Sequence, residues 1–139
     1  MDASRKMAVI AAAVLSLSAP LASAQGVDPS KPLLCAVVHV SSCEESGDCQ
    51  GGPPSSINLP RFIRVDVAAK QISATRPDGT ERTTPISASQ QVGDRLLLQG
   101  VDEGPLTWSV DIEQDNGDMT MAGIKGDTGF IIFGGCTTQ

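Results

Sequence analysis

Within fifteen positions, Cys35 to Cys49, the chain gathers three of its four cysteines and its single histidine. Cys35, His39, Cys43 and Cys49 are ligand types that a tetrahedral zinc accepts. The same residues could instead supply a reactive thiol or a covalent staple. Spacing weighs against the metal. "LLCAVVHV" (33–40) is short, apolar and valine-rich, which is the pattern of a strand. On a regular strand Cys35 and His39 share a face, but four residues of rise part them by about 13 Å. Two ligands of one zinc cannot stand that far apart. Nothing in the neighbouring sequence supplies an activating partner for a thiol.

Redox compartment decides between the remaining chemistries, and residues 1–24 speak to it. Arg5 and Lys6 precede the apolar run "MAVIAAAVLSLSAPLA", and Ala22-Ser23-Ala24 puts small residues where a signal peptidase reads. A spanning helix needs roughly 20 apolar residues; this run is shorter and is broken at Pro20. A cleaved signal peptide is expected, with no membrane span after cleavage and a periplasmic or secreted destination. In an oxidising space four cysteines are expected to form two bridges. Three pairings are possible. Cys43 and Cys49 bracket a glycine- and proline-rich loop and can close it locally. Cys35 stands near the start of the first strand and Cys136 at the end of the last, so antiparallel neighbours would bring them together. The expected pairs are therefore Cys43–Cys49 and Cys35–Cys136, with Cys49–Cys136 as the main alternative. The long bridge should stabilise by roughly 4 kcal/mol in the chain-entropy model, and it would tie the two ends of the sheet together.

The elements that must position these residues are strands. The mature chain, 25–139, has the length of one small domain. It begins with a flexible leader at 25–32 and carries a loop at 44–56 that fits no regular element. No window has sustained helical periodicity. "RFIRVDVA" (61–68) alternates, with Ile63, Val65 and Val67 on one face and Phe62, Arg64 and Asp66 on the other. "KQISATR" and "TERTTPI" flank Pro77-Asp78-Gly79, a three-residue hairpin connection with glycine at positive φ. Pro85 marks the second of these as an edge strand or a strand end. "DRLLLQGV", "PLTWSVDIEQ", "DMTMAGIK" and "TGFIIFGG" complete about eight strands. Asn116-Gly117 suits a two-residue type I′ turn, which would set Ile112 against Met121 and Val110 against Gly123. Leu106, Trp108, Val110, Ile112, Met119 and Met121 then share the core face. The fold class expected is all-β: a small antiparallel barrel, or barrel-like sheet, stapled by disulfides.

Asp111, Glu113, Asp115 and Asp118 gather at the same hairpin, with Asp115 opposite Asp118 in that register. Like charges facing each other destabilise a hairpin, and calcium would offset the repulsion. The stretch "DIEQDNGDMTMA" fails the EF-hand loop, however, with Asn116 where glycine belongs and Ala122 where the bidentate glutamate belongs. A solvated hairpin tip accounts for the cluster without an ion, so calcium is a weak candidate and no cofactor is expected. There is no Gly-x-Ser-x-Gly elbow, no His-Glu-x-x-His, no phosphate loop and no tyrosine. An enzyme is not expected, and a metal-dependent enzyme is a remote alternative. One tryptophan and three phenylalanines, each needed to fill the core, imply no generous ligand cavity.

Charge restricts the partners. Without Arg5, Lys6 and Asp2 the chain keeps 8 basic against 15 acidic residues, a net charge of −7. Such a surface repels nucleic acid and anionic lipid, and it attracts a basic protein.

"NLPRFIRVDVAAKQI", "WSVDI…GDMTM" and "FIIFGGC" resemble a family of small exported proteins of Gram-negative bacteria without assigned function. The likeness covers most of the mature chain. It implies export and a β-rich fold, with no catalytic signature to carry over. In size, compartment, bridges and acidity the chain is also similar to the periplasmic β-barrel inhibitors of lysozyme, whose target is basic. The function expected is a non-enzymatic binding module of the envelope or exterior that meets a basic partner such as a lysozyme-type hydrolase. The alternative is a lipocalin-like carrier of a small apolar ligand.

Overall fold

Short alternating segments parted by glycine and proline turns fold into ten strands in the computed structural model, which describes residues 26–139. The expected signal peptide, 1–24, lies outside the described residues. The strands are β1 (Leu33–Cys43), β2 (Cys49–Gly52), β3 (Phe62–Asp66), β4 (Gln71–Thr75), β5 (Glu81–Pro85), β6 (Ala88–Val92), β7 (Arg95–Asp102), β8 (Leu106–Glu113), β9 (Asp118–Lys125) and β10 (Thr128–Thr138). They form one antiparallel sheet in the order β5-β4-β3-β1-β10-β9-β8-β7-β6, and β2 pairs beside the end of β1. No described helix is long and apolar enough to cross a membrane.

Eight strands were expected and ten form. β2 and a 3₁₀ turn at Pro54–Ile57 occupy the stretch expected to be an irregular loop. β2 has no apolar pattern; its pairing with residues 40–43 of β1, beside the Cys43–Cys49 bond, makes "CQGG" a strand. β6 reads "ASQQV" and is exposed throughout, so it shows no alternation either.

The sheet curls into an open half-barrel rather than a closed one. Its edges, β5 and β6, are consecutive in sequence and joined by Ile86-Ser87. Beside that joint the Ser87 N–H donates to the Gln99 carbonyl of β7 at 2.8 Å, and the Ile86 N–H donates to Lys70 at 2.9 Å. Pro85 is both the last residue of β5 and a residue of the sheet edge, where its missing N–H costs no ladder bond. β1 and β10 are adjacent with Cys35 directly opposite Cys136. They lie in the middle of the strand order, so their disulfide staples the spine of the sheet and does not tie its two ends together.

The concave face carries the core. Leu33, Val65, Leu98, Val110 and Ile112 are fully buried, and Met119, Val40, Trp108 and Ile132 nearly so. β8 and β9 place Leu106, Trp108, Val110, Ile112, Met119 and Met121 on one face, as their alternation requires. Their register differs from that of a type I′ turn: Ile112 faces Met119 and Val110 faces Met121, a shift of two residues that preserves the faces. Asn116 does not adopt positive φ, whereas Gly117 does, at +80°. The longer loop is held from outside the hairpin. Within the loop the Gly117 N–H closes on the Glu113 carbonyl at 2.8 Å; from outside it, the Gln114 N–H reaches the Asp94 carbonyl at 2.8 Å and the Cys136 N–H reaches that of Gly117 at 2.7 Å. These tertiary bonds outweigh the local preference of Asn-Gly. The leader is held at the same end, where Val27 is buried and its N–H donates to Gln114 at 2.7 Å.

Candidate functional site

The cysteine cluster is a covalent framework. Cys35 is bonded to Cys136 and Cys43 to Cys49, leaving no free thiol among the described residues. A register shift between Val37 and His39 also turns the strand over. Cys35 therefore points into the core while His39 points outward into solvent, against the single shared face expected of a regular strand. The His39 ring lies over the backbone of Gly51, where a Cβ would stand 2.9 Å from Nε2.

The acidic hairpin is laced by side chains. Arg95 of β7 hydrogen-bonds Asp111 at 3.0 Å through Nε, and its Nη2 stands 3.7 Å from Glu113. That contact raises the guanidinium above its ordinary pKa, chiefly through the hydrogen bond to Asp111. The Asn116 amide bridges Glu113 and Asp118 at 3.1 and 3.2 Å. With the register shifted, Asp115 belongs to the loop and no longer faces Asp118 across a ladder. Among the described residues no three His, Cys, Asp or Glu side chains converge on a point that could hold a metal ion.

What the structure builds instead is a cavity of about 260 Å³ at the opposite end of the curl. Strand directions explain the location. β4 and β9 run parallel to β1, so their C-terminal ends meet the start of β5, the end of β7 and the start of β8 at one rim. At the other rim, large side chains fill the concave face. Toward the cavity the inward positions are small: Ala74 on β4, Thr84 on β5, Gly123 on β9. Ile63, Ile72, Trp108, Met121 and Ile132 form walls and floor, and the 3₁₀ turn covers one side with Ile57.

Of the four aromatic residues expected to fill the core, Trp108 is buried in it, whereas Phe62 and Phe133 are not. Phe62 and Phe133 lie on the convex face, 54% and 45% exposed. Phe130 lines the cavity and Trp108 forms part of its wall. The cue in the sequence is the run of small residues at inward positions, visible only once the faces of β4, β5 and β9 are fixed.

Polar groups close the gap between β5 and β7, where no ladder forms. Arg82 Nη2 stands 2.6 Å from Asp102 Oδ2, and both side chains are largely buried. The Trp108 indole N–H points to the Thr84 hydroxyl at 3.4 Å. Lower along the same seam, β7 approaches the β5 backbone at Gly100, where a Cβ would stand 2.5 Å from the Pro85 carbonyl oxygen and inside the Trp108 ring. Over the mouth, the Asn58 amide donates to Asp78 of the β4–β5 hairpin at 3.0 Å. Hydrogen bonds from Thr80, side chain and backbone, and from Asn58 lower the Asp78 carboxyl to a pKa of about 2.

The chain matches no family model and shows no significant similarity to a curated protein or to a solved structure. Its two disulfides belong to an oxidising, non-cytoplasmic environment.

Proposed function

We propose that this is an exported, non-enzymatic binding protein, periplasmic or secreted, that holds a small, largely apolar ligand in the cavity at the open end of its sheet. One observation carries the reading: a concave site with apolar walls and a few polar groups at its mouth, the usual composition of a ligand pocket. Its volume lies between an engineered cavity of about 150 Å³ that takes up benzene and drug-sized pockets of roughly 300 Å³ or more. At about 30 Å³ per water-sized group, a ligand of roughly nine heavy atoms would fill it. At about 0.5 kcal/mol per heavy atom such a ligand binds with Kd on the order of 0.5 mM.

Nuclear magnetic resonance titration with neutral apolar molecules of that size tests this. Shifts should concentrate on Ala74, Trp108, Met121 and Ile132, and Ala74→Leu, which fills the cavity, should abolish them while leaving the fold intact. Shifts scattered over the convex face, or unaffected by Ala74→Leu, would refute it.

A second reading rests on the other end of the molecule. Asp111, Glu113, Asp115 and Asp118 collect at the closed rim, and Arg95 offsets only part of their charge. A basic protein, with a lysozyme-type hydrolase as the example, would dock there. Titration with lysozyme at low salt should show binding that weakens as salt rises; no binding at low salt removes that partner.

A further inference from the structure

The charges at the cavity mouth carry a further inference, which rests on reading that cavity as a ligand site. Over residues 26–139 acids outnumber bases by 15 to 8. Among the charged side chains that line the cavity the balance inverts, with Arg76, Arg82 and Lys125 against Asp102 alone. Asp102 is already committed. One oxygen takes Arg82 across the seam, and the other accepts the Glu103 N–H at 2.7 Å. Asp78, two residues from Arg76, spends its oxygens on the Thr80 N–H and the Asn58 amide. Among the described residues Arg76 and Lys125 form no ion pair.

Their placement matters as much as their sign. Arg76 follows β4 and Lys125 ends β9, strands that run the same way but stand four steps apart in the curled sheet. The two cations therefore rise from well-separated walls of one mouth, above an apolar floor. A guanidinium offers a planar pair of donors suited to a carboxylate, and an ammonium adds a point charge.

We propose that the cavity takes an anionic amphiphile: a monocarboxylate with an aliphatic or aromatic tail of medium length. The tail lies against Trp108 and Met121, and the carboxylate sits at the mouth between Arg76 and Lys125. The Arg82–Asp102 pair stays intact beside it and keeps the seam closed. A cationic head group would meet three cations against Asp102 and Asp78, whose oxygens are already hydrogen-bonded, and a neutral one would gain nothing from Arg76 or Lys125.

Octanoate, 1-octanol and octylammonium share a tail and differ in head-group charge, so they separate the claims. Each is titrated into the mature, oxidised protein and into its Arg76→Gln/Lys125→Gln variant, at low and high salt, with Trp108 emission and calorimetric heat as readouts. Octanoate should bind about tenfold more tightly than octanol at low salt, a modest factor because rim charges are solvated. That preference should shrink with salt and vanish in the double variant, whose affinity for octanol stays unchanged. Octylammonium should bind most weakly. Equal affinity for octanoate and octanol, or a preference that survives in the double variant, overturns the head-group assignment while leaving the cavity as an apolar site. If none of the three binds, the cavity reading itself falls.

Discussion

Adding one methyl group at Gly100 tests how the curl is closed. Gly100 is buried on the concave face of β7, directly across the ladder from Trp108. A Cβ there would penetrate the indole ring, 2.7 Å from Cε2, and stand 2.5 Å from the Pro85 carbonyl oxygen. Neither neighbour is the loose end of a flexible side chain. One is backbone of the edge strand, and the other is a ring held at 4% exposure whose N–H points to Thr84. Gly100→Ala must therefore push β5 away from β7 or rotate Trp108 out of the cavity wall. Overpacking of this kind costs about 1–3 kcal/mol, and the lower entropy of the unfolded alanine chain returns roughly 0.5 kcal/mol. A net loss of about 1.5 kcal/mol is expected, near 7 °C in Tm for a domain of this size. Gly129→Ala is the control, because no heavy atom lies within 4 Å of its added carbon and its φ is not positive. It should be neutral or slightly stabilising. Urea unfolding with the disulfides intact gives the free energies, and near-ultraviolet circular dichroism reports the packing of the only tryptophan. If Gly100→Ala stays within 0.5 kcal/mol of the parent and leaves that signal unchanged, the seam is not packed as described.

The two disulfides should differ in weight. Closing the loop between Cys35 and Cys136, 101 residues apart, is worth about 4.7 kcal/mol in the chain-entropy model, and closing the one between Cys43 and Cys49, 6 apart, about 2.3 kcal/mol. Urea midpoints of the two paired-alanine variants should fall in that order, and a larger loss from Cys43→Ala/Cys49→Ala would contradict it. A double-mutant cycle on Arg82 and Asp102 should return a coupling of about 1 kcal/mol, because their side chains are only 29% and 16% exposed. The same cycle on the more exposed Arg95 and Asp111 should return less; the reverse ranking would mean that the seam pair does not hold. Asp78 titrates at about 2 in the fold against 3.8 unperturbed. A depressed carboxylate pKa contributes stability above about pH 4 that is lost as pH falls toward 2. Asp78→Ala should flatten that part of the acid limb, and a carboxyl titration by nuclear magnetic resonance near 4 would refute the shift.

Much of the fold was legible because period-2 alternation fixes faces without fixing partners. Ile63 and Val65 turn inward from Phe62 and Arg64, and Trp108, Val110 and Ile112 from Asp111 and Glu113, wherever their strands end up in the sheet. Where alternation is absent, so was the signal. "CQGG" becomes a strand through its neighbour, and "ASQQV" through β7. The bulge at Val38 reverses the facing of His39 relative to Cys35, and nothing in "CAVVHV" marks which residue is the extra one. Asn116-Gly117 locally favours a type I′ turn, but the structure has another register, held by the Gln114 N–H on Asp94 and by the N–H groups of Val27 and Cys136. Local sequence cannot anticipate that, because those partners lie some 20 to 90 positions away.

The site was less legible than the fold for a related reason. Chemistry-bearing residues stand out in a sequence, and here the conspicuous ones, Cys35, His39, Cys43, Cys49 and the acids of the β8–β9 hairpin, hold the structure or solvate it. A cavity is made by what is missing. Ala74, Thr84 and Gly123 signal nothing individually, and they form a void only because the β4–β5 hairpin and the distant β9 turn them toward one point. The exposed Phe62 and Phe133 complete the effect by withdrawing from the core the bulk that would have filled it. The staple between β1 and β10 fixes the spine of the sheet, so the shape of that void depends on the opposite side, where β5 and β7 meet through one ion pair, one indole and one glycine. Ligand capacity and seam packing are thus one physical property, and a change at Gly100 or Arg82 should alter both together.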